Sequence, residues 1–360
     1  MRDPAASVTT RLHWTTSRPI TGPALLAFAS FALALLPWYG SADTMRLLVE
    51  FFALVTMAQA WNLLAGFTGF VSVGQQAFIG IGAYAMFMIS INAGVHPFLA
   101  VGCGGLIAGL AGALVAPALF RLRGPHFAIG TWVLAELCRI AIGNIDWFGG
   151  ASGLTLARVL LDIPPEVRSY GTYWVSLGLA AASIAAIYLL LRSRFGLAVR
   201  TVRDNESSAQ SVGIDVHRVK LAVYIIAAFL TGCAGAVAYL NTMFVSADAA
   251  FTVDWVALII FVVIIGGIGT IEGPIVGALI YFLLREWLAD YGTWYIITLG
   301  LIAIATMLFA PQGVWGFIAS RLDLRLLPAD TRLILEEVTV ASTAVVMPEE
   351  ESHARKKAHG

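Results

Sequence analysis

The chain returns repeatedly to apolar runs of about 18–20 residues, the length a helix needs to cross the hydrocarbon of a bilayer. These runs fall at roughly 22–39, 46–65, 76–93, 98–120, 126–145, 173–191, 221–240, 253–268, 274–290 and 293–310. Hydrophobic residues make up 59% of the 360 and charged residues 12%, against about 45–50% and 25% in soluble domains. That excess is more than a buried core absorbs. The predicted fold is all-α, a polytopic membrane protein of about ten transmembrane helices. An alternative of eight crossings stays open if the Gly-rich segments near 66–75 and 266–274 are re-entrant or broken.

Basic residues orient the map, because short loops rich in Lys and Arg stay in the cytoplasm. Seventeen of the 22 Lys and Arg, from Arg2 to Lys357, fall on one side. Arg46, Arg158, Arg168 and Arg285 fall on the other, and Arg139 lies within a span. Both termini are therefore expected in the cytoplasm. The organisation that follows is a cytoplasmic arm at 1–20, a transmembrane domain at 21–310 and a cytoplasmic tail at 311–360. The arm is polar and Arg-bearing, unlike a cleaved signal peptide. An external loop at 146–172, with "GGASGL" and "PPE", is expected to be ordered. The tail closes on "EEESHARKKAHG", a composition typical of disorder, while "LILEEV" has the pattern of a short amphipathic helix.

One cytoplasmic segment stands out. "RSRFGLAVRTVRDNESSAQSVGIDVHRVK", 192–220, holds nine charged residues in 29 positions. Asp204 or Asn205 can cap a helix with Glu206 in its first turn, and Gly213 can stop it. Two turns of helix are marginal alone in water, so the segment needs a surface to lie on. Composition leaves two candidates, anionic headgroups or a cytoplasmic partner.

Backbone leaves the helix inside a membrane only where protein or a water-filled cavity satisfies the freed groups. "GFTGFVSVG" (Thr68, Ser72, then Gln75 and Gln76) and "GGIGTIEGP" (Gly266, Gly267, Gly269, Thr270, Glu272) pose that demand. Either they line a transport pathway or they are tight turns at cytoplasmic helix ends. Glu136 and Arg139, at i and i+3 in one span, can form an intramembrane ion pair that serves function or packing. The small-residue runs "GCGGLIAGLAGAL" and "GCAGAVA" favour close helix packing.

Enzyme chemistry finds no support. None of the three lysines, Lys220, Lys356 and Lys357, follows the Gly that a P-loop requires, so an ATP-driven process needs its engine elsewhere. His96 and His126 are not spaced as a metal pair, and Cys103, Cys138 and Cys233 are isolated. No metal and no bound cofactor is expected. Zero net charge invites no nucleic-acid partner.

Four ordered blocks carry a resemblance. They are "WNLLAGFTGFVSVGQQAFIGIGAYAMFMI" at 61–89, "RGPHFAIGTWVLAELCR" at 123–139, the segment from 192 onward, and "VVIIGGIGTIEGPIVGAL" with "LFAPQGVWG" at 262–316. Together they resemble the LivM family, permease subunits of branched-chain amino acid ABC importers. The family usually has His where this chain has Gln75–Gln76. The resemblance implies alternating access in the bacterial cytoplasmic (inner) membrane. The implied partners are a second, related permease, two cytoplasmic ATPase subunits that use ATP and Mg, and an external solute-binding protein. It places Arg200, Arg203, Glu206, Ser207, Ala209 and Gly213 at the ATPase contact. The implied substrate is a branched-chain or related apolar amino acid, with urea, short amides or aromatic acids as alternatives. An ion-coupled secondary transporter is the competing mechanism.

Overall fold

The computed structural model of the chain describes residues 8–15, 21–122, 124–157, 159–160, 164–288, 293–310, 312–322 and 332–339. It divides into two units, one of Met1–Arg18 with Asp330–Gly360 and one of Pro19–Ala329. In the smaller unit, strand Val8–Thr15 pairs antiparallel with strand Arg332–Thr339, Leu12 opposite Leu335. "LILEEV" is thus a strand and not the amphipathic helix its pattern allows. A helix of that length cannot nucleate alone, whereas the β-branched and Thr-rich partner segment offers a ladder for its backbone groups. The close of the tail lies outside the described residues.

The larger unit is helical. Helices α1 (Thr21–Ala34), α2 (Ala42–Thr68), α3 (Gln75–Ala93), α4 (Pro97–Leu119) and α5 (Pro125–Gly143) come first. After α6 (Pro165–Arg192) the chain makes two short helices, α7 (Arg194–Asp204) and α8 (Glu206–Ser211). It then continues through α9 (Val216–Thr242), α10 (Ala247–Ala250), α11 (Val253–Gly266), α12 (Gly273–Leu288), α13 (Thr293–Phe309) and α14 (Gly313–Leu322). Among the described residues, each of the ten predicted spans falls largely on a helix. Eight stretches among the described residues are long and apolar enough to cross a membrane. The two short members are Ala24–Trp38, with α1, and α12 at 16 residues. The Gly-rich segments are breaks between helices. Several helices outrun their apolar runs: α6 takes in the end of the predicted external loop, and α9 begins four residues before Lys220.

At the centre is α2. Ser41 caps its start by accepting the Thr44 amide at 3.3 Å, and Gly69 ends it at φ 76°, donating its amide to Leu64. Nearly all its residues from Phe52 onward are buried. Around it, α3, α4 and α9 approach through small residues: Gly82 lies against the Gly232 backbone, and Gly104 and Gly105 face Gly82 and Cys233. Close approach of this kind trades side chains for backbone contact, which apolar solvent cannot otherwise drive. The outer helices turn Leu99, Leu106, Leu110 and Leu114 of α4 and Leu301, Ile304 and Leu308 of α13 outward, as lipid contact requires.

The two ends of the bundle differ. Trp38 packs on Trp174 beside Tyr170, and Trp147 and Trp255 lie at the same end. Aromatic residues gather at membrane interfaces in this way. There the loop after α5 is ordered by two turns and a two-residue ladder between Leu154–Thr155 and Phe244–Val245. The opposite end carries α7, α8 and the basic residues around them.

Candidate functional site at the basic end

Ser193 caps α7 through the Gly196 amide at 3.4 Å, and Asn205 caps α8 by accepting the Ser208 amide at 3.0 Å. Asn205, not Asp204, is therefore the cap; Asp204 closes α7. Gly213, at φ 85°, stops the element as expected. The predicted helix is preceded by a second one, and the two meet at Asn205. Helix α7 buries Gly196, Val199 and Val202 and leaves Arg194 and Arg203 exposed, with Arg200 half-buried.

The surface that α8 needs is the chain's own body. Glu206 forms an ion pair with Lys220, 2.8 Å, at the start of α9. The Lys220 ammonium also sits 4.4 Å over the ring of Phe70, in the first Gly-rich break. Ala209 is wholly buried beneath the helix. That removes Ala209 from the outward contact for which the resemblance suggested it: its methyl seats the helix. Glu206, Ser207, Gln210, Ser211 and Gly213 remain exposed, and Val212 is 72% exposed at the tip. Between α8 and the bundle lies an open cavity of about 790 Å³, lined by Glu206, Ser207, Gln210, Lys220, Phe70 and Phe127 among others.

Both Gly-rich breaks converge here. Gly66 of α2 approaches the backbone of Gly269 so closely that an added Cβ would stand 2.6 Å from the Gly269 nitrogen. Arg203 of α7 reaches over both breaks: a Cβ on Gly69 would lie 3.8 Å from its Cγ, and one on Gly269 3.7 Å from its Nη1. The freed backbone of 267–272 is satisfied from α2. Asn62 donates to the Thr270 carbonyl at 2.7 Å and accepts the Gly269 amide at 2.8 Å, and Gln59 donates to the Ile271 carbonyl at 2.6 Å. Thr270 closes the turn by donating to Gly267 at 2.8 Å and accepting the Gly273 amide at 3.0 Å. Gly313, at the start of α14, packs against Gly267.

The other residues proposed for a pathway lie in this interior. Thr68, Ser72, Gln75, Gln76 and Gly266 are buried, and Glu272 is half-buried. Ser72 accepts the Trp61 indole through its carbonyl at 2.8 Å, and Gln75 accepts the Thr231 hydroxyl at 3.2 Å. Gln75 Nε2, Gln76 Oε1 and Gln59 Oε1 have no hydrogen-bond partner among the described residues. Glu136 and Arg139 are joined as expected, but the pair is not self-contained: Arg139 also binds Asp248 of α10, 2.5 Å. It lies near the aromatic end, away from α7 and α8. Sequence reasoning missed Gln59, Asn62, Phe70 and Asp248. The first two were findable, as polar residues at i and i+3 within an otherwise apolar span.

Residues 44–311 match the family described as branched-chain amino acid transport system / permease component. The chain belongs to that family. It is accordingly a multi-pass membrane permease subunit of an ABC importer, and ATP hydrolysis falls to partner subunits. Among its relatives is the high-affinity branched-chain amino acid transport system permease protein LivM of Escherichia coli (strain K12). It is 27% identical over 314 residues, covering 80% of this chain and 74% of that protein. A protein of Methanocaldococcus jannaschii described as a probable branched-chain amino acid transport permease protein LivH is 28% identical over 283 residues, covering 73% and 88%. The fructose import permease protein FrcC of Rhizobium meliloti is 24% identical over 310 residues, covering 81% and 85%.

Proposed function

We propose that this permease carries a branched-chain or related apolar amino acid inward across the bacterial cytoplasmic membrane, by alternating access, as one of two related permease subunits. The segment 192–220 faces the cytoplasm and receives an ATPase subunit on the exposed side of α7 and α8: Arg200, Arg203, Glu206, Ser207 and Gly213. The observation that carries this is the way that segment is mounted. Two short helices stand exposed on one side and are tied on the other to the helix breaks, α8 through Glu206–Lys220 to Phe70 and α7 through Arg203 to Gly69 and Gly269. A push on the pair therefore reaches both breaks. Thr68, Ser72, Gln75, Gln76, Gly266, Gly267, Gly269, Thr270 and Glu272 form the hinge region that such a push rearranges, and substrate passes beside it. ATP and Mg belong to the ATPases. Among the described residues no group of three or more His, Cys, Asp or Glu is placed to hold a metal.

The substrate assignment leans on the LivM-type relatives; the fructose permease FrcC, with comparable coverage, shows why the scaffold alone does not decide it. The test is reconstitution of the chain with a second permease, its ATPases and its solute-binding protein. ATP-dependent uptake of leucine or valine, exceeding that of fructose, urea or an aromatic acid, is expected. Uptake by this chain alone, driven by an ion gradient, overturns the mechanism; preference for a sugar or an amide overturns the substrate.

A further inference from the structure

Outside the basic end, one cluster of charges opens onto a cavity. Arg139 donates through Nε to both Glu136 oxygens at 3.0 Å and through Nη2 to Glu136 at 2.5 Å. Its Nη1 reaches Asp248 at 2.5 Å. Arg139 and Asp248 border a cavity of about 200 Å³ whose lining also includes Asn144, Ser246, Ala151 and Ile140, with Glu136 behind Arg139 and outside the lining. Asp248 is 85% exposed, against 34% for Arg139 and 44% for Glu136. Charged groups in a span default to a path or partner, because facing acyl chains is costly.

We propose that this cavity is an amino-acid subsite at the outer mouth of the permease, where Arg139 takes the α-carboxylate and Asp248 the α-ammonium of a zwitterion. The proposal rests on the reading of the chain as an amino-acid importer and deepens it. Glu136 holds the Nε and Nη2 edge of the guanidinium, which orients Arg139. Asp248 holds only Nη1 and is nearly free in water, where such a pair contributes little. An incoming carboxylate replaces Asp248 on Nη1, in the charge-assisted geometry that guanidinium favours. The displaced Asp248 then meets the ammonium. The exchange leaves no charge unpaired, and the apolar side chain lies against Ile140, Ala151 and Ala247. A neutral sugar can make neither ion pair. On the charge-derived orientation this is the external side, where a solute-binding protein releases its cargo.

The test is ligand protection in the complete, reconstituted transporter. Cys103 and Cys138 are changed to alanine, Ala151→Cys is introduced at the rim, and labelling by a membrane-impermeant thiol reagent is followed. Leucine is expected to slow labelling, and 4-methylpentanoate, which lacks the ammonium, to do so only at about tenfold higher concentration or more. Arg139→Gln should remove protection by leucine. Because that change also unties α5 from α10, Asp248→Asn is the second variant: it keeps Glu136–Arg139 and should protect equally with leucine and 4-methylpentanoate. Protection by phosphoethanolamine in place of leucine assigns the cavity to a lipid headgroup and overturns the proposal. So does equal leucine protection in Arg139→Gln, or no protection at saturating leucine. If the same preparation still imports leucine with ATP, those results sink the subsite and leave the importer reading standing.

Discussion

The amide of Gly269 donates to the side-chain oxygen of Asn62 at 2.8 Å, across 207 positions of sequence. One residue on, the Thr270 carbonyl accepts from the same carboxamide at 2.7 Å. A single Asn thus pairs both kinds of backbone group freed in the break after α11. This is how a helix interruption persists at membrane depth.

Asn62→Ala should therefore loosen the break. Each buried backbone group left unpaired costs about 1–3 kcal/mol, so a clear fall in stability is expected. Unfolding of such proteins is commonly irreversible, and the measurement is the half-life of transport activity in detergent on warming. A variant as long-lived as the parent would show that the break does not depend on Asn62.

The ion pair of Glu206 with Lys220 should transmit ATPase movement. Glu206→Arg places like charges together at a site now 2.8 Å apart. Expected is ATP hydrolysis that no longer follows substrate-loaded binding protein, with membrane insertion unchanged. Lys220→Glu in the same chain should restore part of the coupling. Ordinary uptake by Glu206→Arg would mean that this tie carries no signal.

Ala209 and Gln210 are neighbours with opposite exposure, which makes a sharp contrast. Ala209→Leu forces three extra carbons into a filled site, a cost of about 1–3 kcal/mol, and should unseat α8, seen as faster proteolysis within 205–213. Gln210→Leu should leave proteolysis as it is. The reverse ranking would place the outward face of α8 on the other side.

Gly82 and Gly102 separate packing from mere helix propensity. A side chain at Gly82 would strike the backbone of Gly232, while nothing stands within 4 Å of one at Gly102. Gly82→Val is expected to abolish accumulation of folded protein in the membrane; Gly102→Val should accumulate normally. Quantitative blotting of membrane fractions decides it.

The all-helical, membrane-spanning character was legible because it rests on local composition, apolar runs long enough for a bilayer; the count stayed at ten or eight, and eight stretches among the described residues are long and apolar enough to cross. The cap, narrowed to Asp204 or Asn205, and the Gly213 stop were legible from local composition too, since a cap is a contact across three residues; the structure chose Asn205. The "LILEEV" strand was not, because its partner lies more than three hundred positions away, at Val8–Thr15. Nor was the inward turn of Ala209, which depends on which side of α8 meets the bundle.

By itself the sequence determined that this chain is a polytopic membrane protein, and that an ATP-driven process would need its engine elsewhere because no P-loop is present. These follow from residue chemistry and short-range spacing. Only the tertiary structure decided that two Gly-rich segments some 200 residues apart meet at Gly66 and Gly269, that Arg203 spans both, and that Asp248 completes the charge cluster of α5. Helices that pack through glycine contacts and single hydrogen bonds carry no periodic signal naming their partner. The partner is set by which backbones can approach closely enough to satisfy the polar groups that the membrane leaves unsolvated.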